Sequence, residues 1–126
     1  MYKFKTNIPI YLQIADFLTK DIINGKYLVG SQIPSVRELA SIFSVNPNTC
    51  QKAVSELINL GMIVTISTNG NFVTTDKEVL LKCRDQILTR ITDSFVEELT
   101  EYGFTKEEVI EKINQKGVIE NVINRN

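Results

Sequence analysis

Apolar residues recur at helical spacing along most of the chain, and the pattern breaks where glycine and proline fall. From Ile8 to Asn24 one stripe runs through Tyr11, Ile14, Ala15, Leu18 and Ile22. Pro9 suits a first-turn position there, and Gly25 follows as a stop, so a first helix is predicted. Tyr27 to Pro34 is too short and broken for a helix and reads as a loop with one short strand at Ser31 to Ile33. Ser35-Val36-Arg37-Glu38 is a capping box, and behind it Val36, Leu39, Ala40 and Phe43 form the buried side of a second helix. Asn46 then serves as an N-cap and Pro47 sits where its missing N–H costs nothing, so a third helix is predicted to Leu60, ending at Gly61.

That third helix has two different sides. Cys50, Ala53, Val54, Leu57 and Ile58 share one; Asn48, Thr49, Gln51, Lys52, Ser55 and Asn59 fall on the other or at its margins. After it, Met62 to Ile66 and Phe72 to Thr75 are β-type runs flanking Ser67-Thr68-Asn69-Gly70-Asn71, and Asn-Gly between such runs predicts a hairpin. Thr75-Asp76-Lys77-Glu78 reads as a second capping box. It opens a long helix to about Tyr102, with Leu80, Cys83, Ile87, Ile91, Phe95 and Leu99 as its apolar stripe. Gly103 ends it. Thr105-Lys106-Glu107-Glu108 is a third box, flanked by Phe104 and Val109 as a hydrophobic staple, and opens a short helix carrying Val109, Ile110 and Ile113. The periodicity leaves Val118 to Asn126 open between helix and coil.

Composition narrows the functions on offer. The 126 residues make one domain, or a small domain with an appendage. Histidine is absent, which removes the commonest general base, the Ser-His and Cys-His nucleophile pairs and every zinc site that needs imidazole. With no phosphate-cradling glycine loop and no recognisable pair of catalytic carboxylates, an enzyme is not expected. The two cysteines, Cys50 and Cys83, lie 33 positions apart without a CxxC, so each reads as a packed thiol. Glu97, Glu98, Glu101, Glu107, Glu108 and Glu111 are spread by helical spacing and read as solvated charge; neither a metal nor a cofactor is implied. With neither a signal-peptide h-region nor an 18-residue apolar run, a soluble, cytoplasmic protein is expected.

The formal net charge is −1, but its distribution is uneven. Up to Thr75, six basic residues face four acidic ones, giving +2; beyond it, eight face eleven, giving −3. A mildly basic front half is compatible with a nucleic-acid face. Helix, loop, capped helix, tight turn, amphipathic helix and hairpin is also the order of a winged helix-turn-helix, whose last helix enters the DNA major groove. The expected fold class is therefore mainly α with a small β-hairpin wing: a winged helix-turn-helix over residues 1–75, then a helical region over 76–126.

Three stretches carry a family resemblance: Ile33-Pro34-Ser35-Val36-Arg37-Glu38-Leu39-Ala40, Val45-Asn46-Pro47-Asn48-Thr49-Cys50-Gln51-Lys52-Ala53, and Glu56-Leu57 with Gly61-Met62-Ile63. Together they resemble the GntR family of bacterial transcription regulators. The Asn-Pro-Asn-Thr turn and the short C-terminal region look most like its YtrA subfamily. The resemblance implies a homodimeric regulator on a pseudo-palindromic operator of double-stranded DNA, with the C-terminal helices pairing the subunits. It places Arg37, Asn46, Asn48, Thr49, Gln51 and Lys52 on the DNA surface, and the chemistry agrees. Asn and Gln can pair with adenine and Arg with guanine, while Lys and Thr also serve phosphates.

Family wings often carry Arg-Arg-Gly-x-Gly; here the aligned stretch is Ile66-Ser67-Thr68-Asn69-Gly70. Without those arginines, Ser67, Thr68, Asn69 and Gly70 remain as candidate contacts, and a shallow salt dependence is expected. Two readings compete with these assignments. Arg37 can be a solvated charge and the whole domain a protein-interaction module. The stripe from Leu80 to Leu99 can be a dimer seam or the packing face for the next helix.

Overall fold

The structure is a computed structural model that describes residues 2–117. Its elements follow in the order α1 (Ile10–Ile23), α2 (Val36–Phe43), α3 (Pro47–Asn59), β1 (Ile63–Ile66), β2 (Gly70–Val73), α4 (Lys77–Glu101) and α5 (Lys106–Lys116). The five helices and two-stranded hairpin make the mainly helical winged fold that the patterning predicts. The segment from Val118 onward lies outside the described residues.

The chain forms two compact units, one ending at Asp85 and the other beginning at Gln86. In the first, α3 packs against both α1 and α2, and its apolar side supplies Cys50, Ala53, Val54 and Leu57 to a core shared with Ile14, Leu18, Ile22, Leu39 and Phe43. Met62, Ile63 and Val73 close that core from the hairpin. Tyr2 and Phe4 extend it with an aromatic group, the Tyr2 ring lying 4.5 Å from Phe43 and 5.3 Å from Phe17.

Local chemistry sets most of the boundaries. Ser35 and Glu38 form the capping box reciprocally: the Glu38 N–H donates to Ser35 Oγ at 3.1 Å and the Ser35 N–H to Glu38 Oε1 at 3.1 Å. Ser44 ends α2 in the left-handed region at φ 56°, which turns the chain tightly enough for Asn46 to cap α3. Helix α1 starts later than the pattern predicts. Pro9 stands just outside it and supplies no side-chain cap. The Gln13 amide holds the approach instead, accepting from the Lys5 N–H at 2.8 Å and donating to the Lys5 and Ile8 carbonyls.

Three sequence expectations are corrected. The second box does not form, because Asp76, one residue closer to the helix, accepts from the N–H groups of Glu78 and Val79 and takes the cap from Thr75. The hairpin forms, but its turn is shorter than the five residues expected between the strands. Ile66 pairs with Gly70 across a single 3₁₀ turn of Ser67–Asn69, so β2 begins at Gly70 and ends at Val73. The short strand at Ser31 to Ile33 shrinks to one bridge, Gln32 against Phe72, flanked by backbone bonds from Ile33 to Asn71 and from Val73 to Ser31.

A fourth correction concerns α4. Leu80 and Cys83 belong to the winged unit, Cys83 being buried in its core and Leu80 packed against it, while Arg84 Nη1 donates to the Ile23 carbonyl at the end of α1. Cys83 wholly and Leu80 in part are therefore committed to the core of the winged unit, a packing role within the subunit like the second of the two expected for this stripe. The second unit consists of the remainder of α4 together with α5, which Thr105 and Glu108 cap reciprocally as expected. No residue of this unit is buried among those described, and Leu88, Ile91, Phe95, Leu99, Phe104, Val109 and Ile113 line an open apolar groove of about 960 Å³ between its helices. No helix among the described residues is long and apolar enough to cross a membrane.

Candidate nucleic-acid interface

Burying Cys50, Ala53, Val54 and Leu57 fixes the rotation of α3 and thereby turns Asn48, Gln51 and Lys52 to solvent, with Thr49 half-exposed at the margin. Asn46 Oδ1 accepts from the Asn48 N–H at 2.8 Å, so the cap engages one lone pair of the side-chain oxygen and leaves the NH₂ group as a donor. Asn46 can thus donate to phosphate or base acceptors while it caps α3. Gln51 keeps both groups within reach of solvent, its NH₂ making one long bond of 3.3 Å to Ser55 Oγ that is readily exchanged.

Two cations bracket this surface. Arg37 is exposed on α2, two residues after the cap. Lys52 is exposed on α3, with its ammonium 5.9 Å from the centroid of the Tyr11 ring on α1. The Glu38 carboxyl beside Arg37 is held below its ordinary value by the Ser35 N–H and then by the Ser35 hydroxyl, so it stays ionised as a cap. Burial pushes the Cys50 thiol up, which keeps it protonated, and both cysteines are free and buried. Neither has the exposure that redox sensing needs. Among the described residues, no cluster of His, Cys, Asp or Glu is placed to hold a metal ion.

The wing is uncharged at its tip and held from the side. Gln32, in the loop between α1 and α2, donates from Nε2 to the Asn69 carbonyl at 2.7 Å, and Thr65 Oγ1 donates to Asn71 Oδ1 across the hairpin at 2.7 Å. Gly70 sits under the Gln32 bond at φ 114°, where an added Cβ would come within 2.6 Å of Gln32 Nε2. Ser67, Thr68 and Asn69 are exposed on this pinned turn. The sequence reading missed Gln32, Gln13 and Tyr11, whose roles depend on partners 37, 8 and 41 positions away. Only the bridge-forming strand at Ser31 to Ile33 carried a signal for one of them.

The family model for bacterial regulatory proteins of the gntR type matches residues 10–73, from the start of α1 to the last residue of β2. The chain belongs to the GntR family. It is similar to the uncharacterised HTH-type regulator YhcF of Bacillus subtilis, with 38% identity over 88% of this chain and 92% of that protein. It also resembles the transcriptional repressor YtrA of the same organism, with 36% identity over 61% of this chain and 59% of that protein. A GntR regulator from Listeria monocytogenes superposes with a TM-score of 0.84 and 34% identity, over 89% of this chain and 98% of that one. The DNA-binding domain of AraR, solved in complex with an operator, matches with a TM-score of 0.53 and 30% identity over 59% of this chain and 87% of that one. This GntR protein is therefore a transcriptional regulator and not an enzyme, as its residues implied, and its likeness to YtrA bears out the subfamily resemblance.

Proposed function

We propose that the protein is a cytoplasmic, sequence-specific DNA-binding repressor that acts as a homodimer on a pseudo-palindromic operator. The observation that carries this reading is the two-sided α3: its apolar side is wholly spent on the core, while Asn48, Gln51 and Lys52 stand exposed. The AraR domain, related in fold and sequence, is seen on its operator. In this reading α3 lies in the major groove, with Gln51 and Asn48 reading base edges. Arg37 reaches a phosphate or a guanine, and Asn46, Thr49 and Lys52 reach phosphates. The hairpin lies alongside as the wing, with Ser67, Thr68, Asn69 and the Gly70 backbone approaching the sugar-phosphate chain. The second subunit is called for by the apolar groove of the C-terminal unit. Ile91 and Phe95 are about half exposed there, beside the partly covered Ile87 and Leu99, and a second copy would bury them.

The test is a titration against the duplex immediately upstream of the protein's own gene at several salt concentrations, with an unrelated duplex of equal length as control and the mass of each state measured. The expected result is selective binding at two subunits per site, with a log-log salt slope of about 2 to 4, since each phosphate neutralised contributes about 0.9. The tip of the wing carries no cation, which favours one competing reading, a winged helix that meets a protein. Absence of binding to either duplex at low salt would overturn the DNA reading in its favour.

A further inference from the structure

We propose that Tyr11 is a positioning residue for DNA binding: its ring holds the Lys52 ammonium in place on the recognition surface without neutralising it. The inference rests on the DNA reading above. Lys52 has an acidic neighbour, Glu56, four positions on along α3, the spacing at which helix ion pairs form. That pair is not made. The ion pairs among the described residues are Lys20 with Asp16 and Lys26 with Asp21. The ammonium of Lys52 instead lies 5.9 Å from the centroid of Tyr11.

The two alternatives differ in what they leave for a ligand. A carboxylate would take up the charge and at least one of the three N–H donors, and a phosphate would then have to displace it. An aromatic face attracts the cation through its quadrupole, restricts the long side chain and leaves the formal charge and the donors available. Tyr11 suits the role because its ring is half-buried and packed against the core, so a fixed surface meets the long, exposed Lys52 side chain. Restricting the free lysine in this way reduces the side-chain entropy lost when it docks on a phosphate.

The experiment uses the full chain as native protein, Tyr11→Phe, Tyr11→Leu, Lys52→Gln and the Tyr11→Leu/Lys52→Gln double variant. The probe is a duplex selected by the native protein from a random-sequence pool. Lys52→Gln should weaken binding and lower the salt slope by about 1.8 for a dimer, one phosphate per subunit. Tyr11→Leu should weaken it by about two- to fivefold per subunit, the range of an exposed cation–π contact, and so by about four- to twenty-fivefold for the dimer, while Tyr11→Phe binds as native. In the Lys52→Gln background, Tyr11→Leu should cost nothing further.

In the free protein, the Lys52 ε-methylene protons should resonate upfield through the ring current in native and Tyr11→Phe, and at ordinary positions in Tyr11→Leu. This readout stands even if Tyr11→Leu loosens the core, because Tyr11→Phe and the native protein carry it. An undiminished Tyr11→Leu loss in the Lys52→Gln background, an equal loss in Tyr11→Phe, or no upfield shift in native protein would overturn the positioning role and leave the DNA reading intact. A Lys52→Gln variant that binds the selected duplex as native does would overturn both the role of Tyr11 and the assignment of Lys52.

Discussion

The two units of this regulator solve the problem of burial in opposite ways. The winged unit buries Ile14, Leu18, Leu39, Val54, Leu57, Met62 and Ile63 almost completely, drawing on three helices and a hairpin. The C-terminal unit has two helices and buries none of its described residues; Phe95 remains 43% exposed and Ile91 54%. Both units have clean helix caps and amphipathic helices, so local propensity does not separate them. The difference is the number of elements available to cover an apolar face, and two helices leave one side open. On the proposed dimer, in which a second copy covers the open face, the two units are expected to respond differently to the same kind of substitution.

The largest contrast should come from the open groove. Changing Ile91 and Phe95 together to Glu should raise the dimer dissociation constant by at least about a thousandfold, because charge would be carried into an apolar interface. Sedimentation would read the halved mass, and the melting of the winged unit should be unchanged. Persistence of the dimer would place the subunit contact elsewhere. Leu57→Ala should do the reverse, costing about 2 to 5 kcal/mol of unfolding free energy in denaturant while leaving the C-terminal helices paired.

Gly70→Ala is a smaller and more local fault. It meets Gln32 Nε2 at 2.6 Å and forces a side chain to φ 114°, a strain of about 1 to 3 kcal/mol. Operator affinity should fall while the subunit mass stays constant; adding Gln32→Ala should relieve the collision and leave the backbone strain. The smallest effect belongs to Glu38→Gln. Because hydrogen bonds from Ser35 hold the Glu38 carboxyl below its ordinary value, its ionised form favours the folded state. That contribution is present above the unfolded value of about 4.3 and disappears as pH falls through the folded value. Native and Glu38→Gln stability curves should therefore differ at neutral pH and converge in acid.

What was legible in the sequence follows the range of the interactions. The Ser35–Glu38 and Thr105–Glu108 boxes, the Asn46–Pro47 start of α3 and its buried stripe were all readable, because each rests on residues within a few turns of one helix. Thr75 was misread because two capping residues stand side by side and the motif does not rank Asp76 above it. The hairpin was legible but the start of its second strand was not, because Asn-Gly signals a turn without counting its residues, and a pinned Gly70 joins the strand here.

Leu80 and Cys83 show a deeper limit. They share a stripe with Ile91 and Phe95, yet the first pair faces the winged core and the second lies in the groove, since a helical period records that a face is apolar and not what covers it. The surface of α3 was legible for a complementary reason: a helix with one side committed leaves the other as its only free surface.

That division of α3 separates two kinds of change open to the protein. Substitutions at Cys50, Ala53, Val54 or Leu57 disturb the core, whereas outward positions such as Asn48, Gln51 and Lys52 can vary at a stability cost usually within about 0.5 kcal/mol. On the proposed DNA reading, stability and recognition occupy separate faces of one helix, so a lineage can exchange one operator for another without first rebuilding the fold. Gene duplicates of such a regulator can diverge in target by a few outward substitutions while the scaffold beneath stays the same.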